Sequence, residues 1–419
     1  MRLFELIRDR DWVPVSGYAA YIATLSAGYY YNVTFVQLGM IDLGSGTVGL
    51  GDQQVSLAMA GFALGALLAS LVTGRSMDAR GWGTDLRIKL RVLTVVAGAQ
   101  LVVTAVSPAV DTTLGFVSLL AVSSLGIGVG IPVTFGLMGD LIPVSDRGAV
   151  AAATAGIAFF AAAIYPMEWR IEQFSLVMTI AMAPAVLTLG LLSFRPSSLI
   201  DRLGRQHEVF GTGRFAGPGV GKVSFGLVVG VMFAVFFIDS LGFLRLVDTP
   251  AYISTSWQSP EIGVRVTIAV MHLVGAGIAG ILYTNFHWRW LLLGVFGLFS
   301  FSHLLYTFHI RFGVGSEPPF VMPMMYVLAV SFYTTLNFAL WPDLSTTENM
   351  GRRTALGVGV AGWLASFAST SAALYSQGSG VSLLSHLTYV EALALVCVFA
   401  LPVFLYLRRV VAASRSVGT

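Results

Sequence analysis

Twelve stretches of mostly apolar residues, each long enough to cross a bilayer, follow one another along the chain. A helix needs about 20 such residues to span roughly 30 Å of hydrocarbon. The limits fall near 14–39, 53–74, 89–109, 113–138, 148–166, 173–194, 223–247, 261–283, 290–309, 319–341, 354–376 and 383–407. The charge content agrees with this count, since only 11% of the 419 residues are charged. Ordinary soluble domains carry about 25%, so a soluble enzyme and a disordered chain are excluded. A net charge of +3 is too small to mark a nucleic-acid binder. The predicted class is an all-α polytopic membrane protein embedded in a lipid bilayer. Cys397 is the only cysteine, which leaves neither a disulfide framework nor a Cys-based metal site; no metal or cofactor is expected.

Lys and Arg concentrate on the cytoplasmic side of short loops. With the N-terminus inside, all of the 24 basic residues except Arg170, Arg245, Arg265 and Arg311 fall on that side. Both termini are therefore expected in the cytoplasm of a multi-pass cell-membrane protein. Residues 1–12 lack the pattern of a cleavable signal and read as a short interfacial helix. A first six-helix bundle follows at 13–194, then a linker at 195–222, a second bundle at 223–408 and a tail at 409–419. The linker run from Gly211 to Lys222 is rich in glycine, but it fails as a phosphate cradle: Ala216 and Val223 stand where Gly and Ser or Thr are required. It reads as a flexible connection.

The two bundles repeat one another. Asn32 in the first span aligns with Asp239 in the seventh, and Gly139-Asp140-Leu141 after the fourth aligns with Pro342-Asp343-Leu344 after the tenth. In both bundles a glycine follows that Asp by eight residues, Gly148 and Gly351, beside Arg147 and Arg352. Small residues spaced by four, such as Gly61 and Gly65, Ala276 and Gly280, or Gly357 and Ala361, permit close helix approach.

Gly74-Arg75-Ser76-Met77-Asp78-Ala79-Arg80-Gly81, between the second and third spans, resembles the G-x-x-x-D-x-x-G loop motif of the major facilitator superfamily. The segment from Asp140 to Gly148 is similar to that family's connection between helices 4 and 5. The resemblance covers essentially the whole chain, and it implies two six-helix pseudo-symmetric halves around a central pathway. Several departures stand out. Trp82 and Gly83 replace the basic residues that usually follow the loop motif, and the equivalent loop of the second half, from Thr284 to Arg289, lacks it. The fourth span has no Arg, and the glycine signature of drug antiporters is reduced to Gly156 and Tyr165-Pro166.

Asp239 is the most informative position. It lies about 24 Å along the seventh span by helical rise, among Phe236, Phe237, Ile238 and Phe243, where an acid costs several kcal/mol unless paired, hydrated or protonated. One reading makes it the proton-exchanging or cation-binding group. The other is a static pair with Arg265 that joins the seventh and eighth spans. The former leads, because intramembrane acids of the resembled fold line its pathway. Arg265 and His272 complete the proton-coupling candidates. His303 reads as structural, and Glu391 lies on the twelfth span, which the resemblance makes peripheral.

The resemblance also places the first, fourth, seventh and tenth spans around the pathway, and helical periodicity then selects faces. These give Tyr29 with Asn32, Phe236 with Asp239, Tyr333 with Asn337, and Thr134 as the repeat equivalent of Asn337. The expected substrate site is thus an aromatic pocket with amides and one acid, suited to an amphipathic or cationic organic solute. Asp78, Arg80, Asp140 and Arg147 form the conformational latch that the resemblance implies. The functional expectation is a monomeric secondary active transporter working by alternating access with proton coupling, not an enzyme and not a nucleic-acid binder. A facilitative uniporter, or a non-transporting membrane sensor or assembly factor on the same fold, is the alternative.

Overall fold

A backbone surrounded by hydrocarbon has no water to bond, so each segment closes its own hydrogen bonds, and every long element among the described residues is helical. The computed structural model describes residues 2–165, 169–206, 210, 213–216, 225–247, 249–286, 288–313 and 318–417. In the first half, α1 runs from Trp12 to Tyr31 and continues as widened π-helical turns over Asn32–Gly39. It is followed by α2 (Asp52–Ala79), α3 (Leu86–Val106), α4 (Thr113–Leu141), α5 (Arg147–Ala163) and α6 (Ile171–Phe194). The second half contains α7 (Phe225–Val247), α8 (Ile262–Asn285), α9 (Trp288–Phe312) and α10 (Val321–Asp343). It ends with α11, which comprises Met350–Leu356, a π-helical stretch Gly357–Leu364 and Ala365–Gly378, and with α12 (Leu383–Val417).

Among the described residues, ten helices are long and apolar enough to cross a membrane; α1 and the 17-residue α5 fill the other two expected positions. Their outer faces are apolar. On α2, Leu57, Leu64, Leu68 and Val72 are exposed while Met59, Phe62, Ala63, Ala66 and Ser70 are buried. In water such stripes would drive aggregation; in a bilayer, lipid covers them.

Two helix pairs make the most extensive contacts between the halves, α5 with α8 and α2 with α11, and glycine sets the approach in both. A Cβ on Gly280 would stand 2.7 Å from the Ala152 Cβ and 2.9 Å from the Gly148 carbonyl oxygen. A Cβ on Gly74 would collide with the Gly351 carbonyl oxygen, and one on Gly351 with that of Gly74. The crossings are repeat equivalents, since Gly148 and Gly351 each follow their aspartate by eight residues.

Beside these crossings lies a fully buried ion pair between the halves. The Arg147 Nη1 donates to Asp343 Oδ1 at 2.8 Å, with both side chains at 0% exposure. Removed from water, each remaining polar atom needs a partner. The Tyr283 hydroxyl donates to Asp343 Oδ2 at 2.7 Å, and Arg147 Nη2 donates to the Phe210 carbonyl of the linker. The linker then continues across the joint: the Phe215 amide reaches the Asp343 carbonyl at 2.7 Å, and the Arg214 guanidinium bonds the carbonyls of Tyr283 (2.9 Å) and Thr284 (3.1 Å). The expected flexible connection is therefore, where described, packed against the joint. Residues 217–222 of the glycine-rich run, Pro166, His207 and His287 lie outside the described residues.

Asp78 adds a second bridge, its carboxylate accepting the amides of Gly351 (2.8 Å) and Arg352 (2.9 Å) at the start of α11. The expected N-terminal helix forms over Arg2–Arg8, and its first amides, on Arg2 and Leu3, donate to Asp146, which also accepts from the Tyr18 hydroxyl. At the opposite end of the bundle, Arg265 donates to the Tyr165 carbonyl at 2.6 Å. Ser56 and Ser371 exchange hydroxyl-to-carbonyl bonds of 2.8 Å. The halves are thus joined at both ends.

Gly280→Ala should destabilise the purified protein by about 1–3 kcal/mol through overpacking. Gly277→Ala, one turn earlier where nothing lies within 4 Å, should be neutral; thermal unfolding in detergent compares the two. Asp343→Asn should cost about 3–5 kcal/mol, because it leaves Arg147 buried without its counter-charge. In the same assay the double variant Arg147→Met/Asp343→Leu should recover most of that loss.

Candidate functional site

The residues that could contact a solute meet midway between the two joined ends. Asp239 is buried on α7. Tyr326 and Tyr333, seven residues apart on α10, occupy one face two turns apart. The Tyr326 hydroxyl donates to Asp239 Oδ1 at 2.5 Å and reaches the Asp239 carbonyl at 2.8 Å, while the Tyr333 hydroxyl donates to Oδ2. These donors supply the partners that a buried carboxyl group requires.

A cavity of about 70 Å³ opens beside this cluster, room for roughly two waters at ~30 Å³ each. Its wall comes from both halves. Tyr29 and Gln37 of α1 and Phe159 of α5 face Asp239, His272 and Tyr333 of the second half. Aromatic contacts build the rest: Phe236 meets Tyr333 edge to face at 4.7 Å, and Phe243 and Phe159 lie 5.5 and 5.7 Å from Trp257. Among the described residues, the wall includes neither Lys nor Arg. Asp239 is its one carboxylate, so the wall is electronegative both at that group and over its ring faces.

Of the sequence-derived positions, Tyr29, Phe236, Asp239, Tyr333 and His272 come together at this wall. Asn32, Thr134 and Asn337 do not. Widening of α1 from Asn32 onward puts Val33 and Gln37 on the wall instead, and Asn337 Oδ1 accepts from the Trp341 indole at 2.7 Å. The static Asp239–Arg265 pair, the alternative reading, is absent from the salt bridges among the described residues. Arg265, in the first turn of α8, reaches across the seam to Tyr165, and Asp239 is held by tyrosines.

The four latch positions also separate. Asp78 and Arg147 bridge the halves, as described above. Asp140 instead pairs within its own half with Lys89, both buried, and the Arg80 guanidinium lies over the Trp82 ring at 5.0 Å. Sequence reasoning missed Lys89, Trp257, Tyr326 and the latch role of Asp343. The repeat equivalence with Asp140 pointed to Asp343, and the seven-residue spacing from Tyr333 pointed to Tyr326. Trp257 lies in a loop between spans, where periodicity carries no signal.

No protein-family model matches the chain, and no curated protein matches it in sequence. Solved structures do match in shape. The proton:xylose symporter XylE, bound to 6-bromo-6-deoxy-D-glucose, aligns with TM-score 0.63 and 13% identity over 92% of this chain and 95% of its own. A bacterial homologue of the iron transporter ferroportin, in its outward-facing state, aligns at 0.57 and 13% identity over 93% and 97%. The human organic anion transporter MFSD10 aligns at 0.58 and 13% identity over 93% and 98%. Identities this low speak to architecture rather than activity, and together with the twelve helices and the repeat-related crossings they establish that the chain has the fold of the major facilitator superfamily.

Proposed function

We propose that the protein is a secondary active transporter that moves a small organic cation across the cell membrane, with both termini in the cytoplasm and Asp239 as the group that exchanges a proton. The observation that carries this reading is the cavity between the halves, with its one carboxylate, its aromatic walls and neither Lys nor Arg among the described lining residues. The structural neighbours are named for a sugar, iron and organic anions, so fold does not select the cargo and the lining must. A wall of this kind suits an ammonium group: the carboxylate supplies the counter-charge and the ring faces add cation–π attraction. The small volume fits an arrangement with both ends joined, from which one end or the other opens in an alternating-access cycle. One coupled proton draws about 2.3 kcal/mol from each 100 mV of membrane potential. Both halves that line the cavity belong to one chain, which supports function as a monomer.

Facilitative uniport is the second reading, favoured by the two tyrosine hydroxyls that already satisfy both Asp239 oxygens and would hold it as a fixed binding carboxylate. A sensor or assembly factor needs no cavity at the seam.

Uptake of radiolabelled choline and ethanolamine into proteoliposomes, with and without an imposed pH gradient, separates these readings. The gradient should accelerate uptake by wild type. Asp239→Asn should lower uptake at least about tenfold, corresponding to roughly 1.4 kcal/mol, and remove its response to the gradient. Uptake indifferent to the gradient in wild type would establish uniport. An unchanged rate and pH response in Asp239→Asn would remove this residue from the mechanism.

A further inference from the structure

A groove of about 670 Å³ lies where the linker helix Ser198–Gly204 packs against the start of α3. That is room for roughly twenty waters at ~30 Å³ each, so the groove can hold a whole polar headgroup rather than a single ion. It is at the same end of the bundle as the Arg147–Asp343 joint, since Lys89 of α3 pairs with Asp140, seven residues before Arg147.

The groove is basic once its internal pairs are set aside. Its charged residues are Asp85, Arg87, Arg91, Asp201 and Arg205. Both acids are engaged. Asp201 Oδ1 accepts from Arg87 Nη2 at 2.7 Å, and the Arg87 Nη1 donates to the Arg195 carbonyl at 3.1 Å. Asp85 Oδ1 accepts the Ile88 amide at 2.9 Å and so caps α3. Arg91 and Arg205 are exposed, and neither has a carboxylate partner among the described residues. Arg195 and Arg202 are exposed on the same linker segment. Apart from the buried Lys89, residues 85–91 and 195–205 therefore hold five arginines against two aspartates, an excess equal to the +3 of the whole chain.

Arg91 sits where this charge meets the apolar surface of the bundle. Its Nε donates to the Ser193 carbonyl of α6 at 3.3 Å, and its guanidinium lies over the Phe194 ring at 5.6 Å. These contacts tether it at the mouth of the seam between α3 and α6. Val95 and Val102 continue the Arg91 face along α3, while Leu191 and Leu187 lead away from Phe194 along α6; all are exposed. A soluble anion would use the arginines and leave these stripes bare, whereas a lipid uses both.

We propose that the groove binds an anionic phospholipid of the leaflet at this end, its headgroup phosphate against Arg91 and Arg205 and an acyl chain along the α3–α6 seam. Basic pockets between membrane helices suit such headgroups. The anionic class follows from the charge excess, because a zwitterionic headgroup brings its own cation into a groove that already has guanidinium groups to spare.

Native mass spectrometry of purified, delipidated full-length protein tests this, with dioleoylphosphatidylglycerol and dioleoylphosphatidylcholine as the two probes. Wild type should bind the phosphatidylglycerol more tightly by roughly five- to twentyfold, the scale of one to two arginines meeting an anionic headgroup. Arg91→Gln/Arg205→Gln should bring the two lipids within about twofold. Arg8→Gln/Arg10→Gln removes the same charge from exposed positions outside the groove and should keep the preference. If the groove double variant fails to fold, Arg205→Gln alone, at an exposed position, should lower the preference at least about threefold. Equal binding of both lipids by wild type, a full preference retained in the folded groove variants, or an equal loss in the Arg8/Arg10 variant overturns the site. Inorganic phosphate in large excess should leave the phosphatidylglycerol bound; its displacement by phosphate overturns the lipid assignment in favour of a soluble anion.

Discussion

The Arg147–Asp343 pair is the contact on which the joint between the halves depends, because at zero exposure it admits no partial solution. A guanidinium and a carboxylate taken out of water must have nearly all their hydrogen-bonding positions filled from within the chain. That requirement draws in three further groups: the Tyr283 hydroxyl at the end of α8, the Phe210 carbonyl of the linker, and the Arg214 amide. The linker is consequently part of the joint as well as the connection between bundles. The glycine crossings serve the same end by steric means, since the aspartate and arginine can meet only where the backbones of α5 and α8, and of α2 and α11, come this close.

The sequence revealed what depends on local chemistry and concealed what depends on tertiary choice. Span count was legible because hydrocarbon demands long apolar segments. Asp239 was legible because an intramembrane acid stands out against a background with few charges. Its partners were legible only in part: the resemblance put Tyr333 in the same pocket, but Tyr326 is one among 14 tyrosines, and nothing in the spacing of α7 shows which hydroxyls reach the acid. The repeat aligned Asp140 with Asp343, yet the two behave differently. Lys89, at the start of α3, claims Asp140 within the first half, whereas Asp343 faces Arg147 across the seam. Equal sequence positions were resolved by which cation the packing brought near.

On α1 the face assignment failed for a separate reason. It assumed a constant helical period, and α1 departs from that period at Asn32. Tyr29, before the departure, lies on the cavity wall; beyond it the wall residues are Val33 and Gln37, in four-residue steps, and Asn32 turns aside. Such widened turns collect at functional positions, and α11 has another at Gly357–Leu364, just before Ser366, which also lines the cavity. In both helices a stretch of altered period adjoins the wall, so periodicity is least reliable near the site it is used to find.

Three helices carry a residue of the cavity and a residue of the joint on the same rigid rod. In α10, Tyr333 and Asp343 are ten residues apart, about 15 Å along the axis; in α5, Phe159 and Arg147 are separated by about 18 Å; in α8, His272 and Tyr283 by about 16 Å. A packed helix does not stretch, so tilting any of these rods enough to part Arg147 from Asp343 must also re-space the groups around Asp239. The converse follows. A ligand that draws Asp239, His272 and Phe159 together favours whichever tilt permits it, and its binding energy is then expressed at the joint through rod geometry. Coupling of this kind requires no sequence of small relayed contacts between cavity and joint. It requires only that the same three helices end in both, and the positions of Tyr333, Phe159 and His272 relative to Asp343, Arg147 and Tyr283 meet that condition.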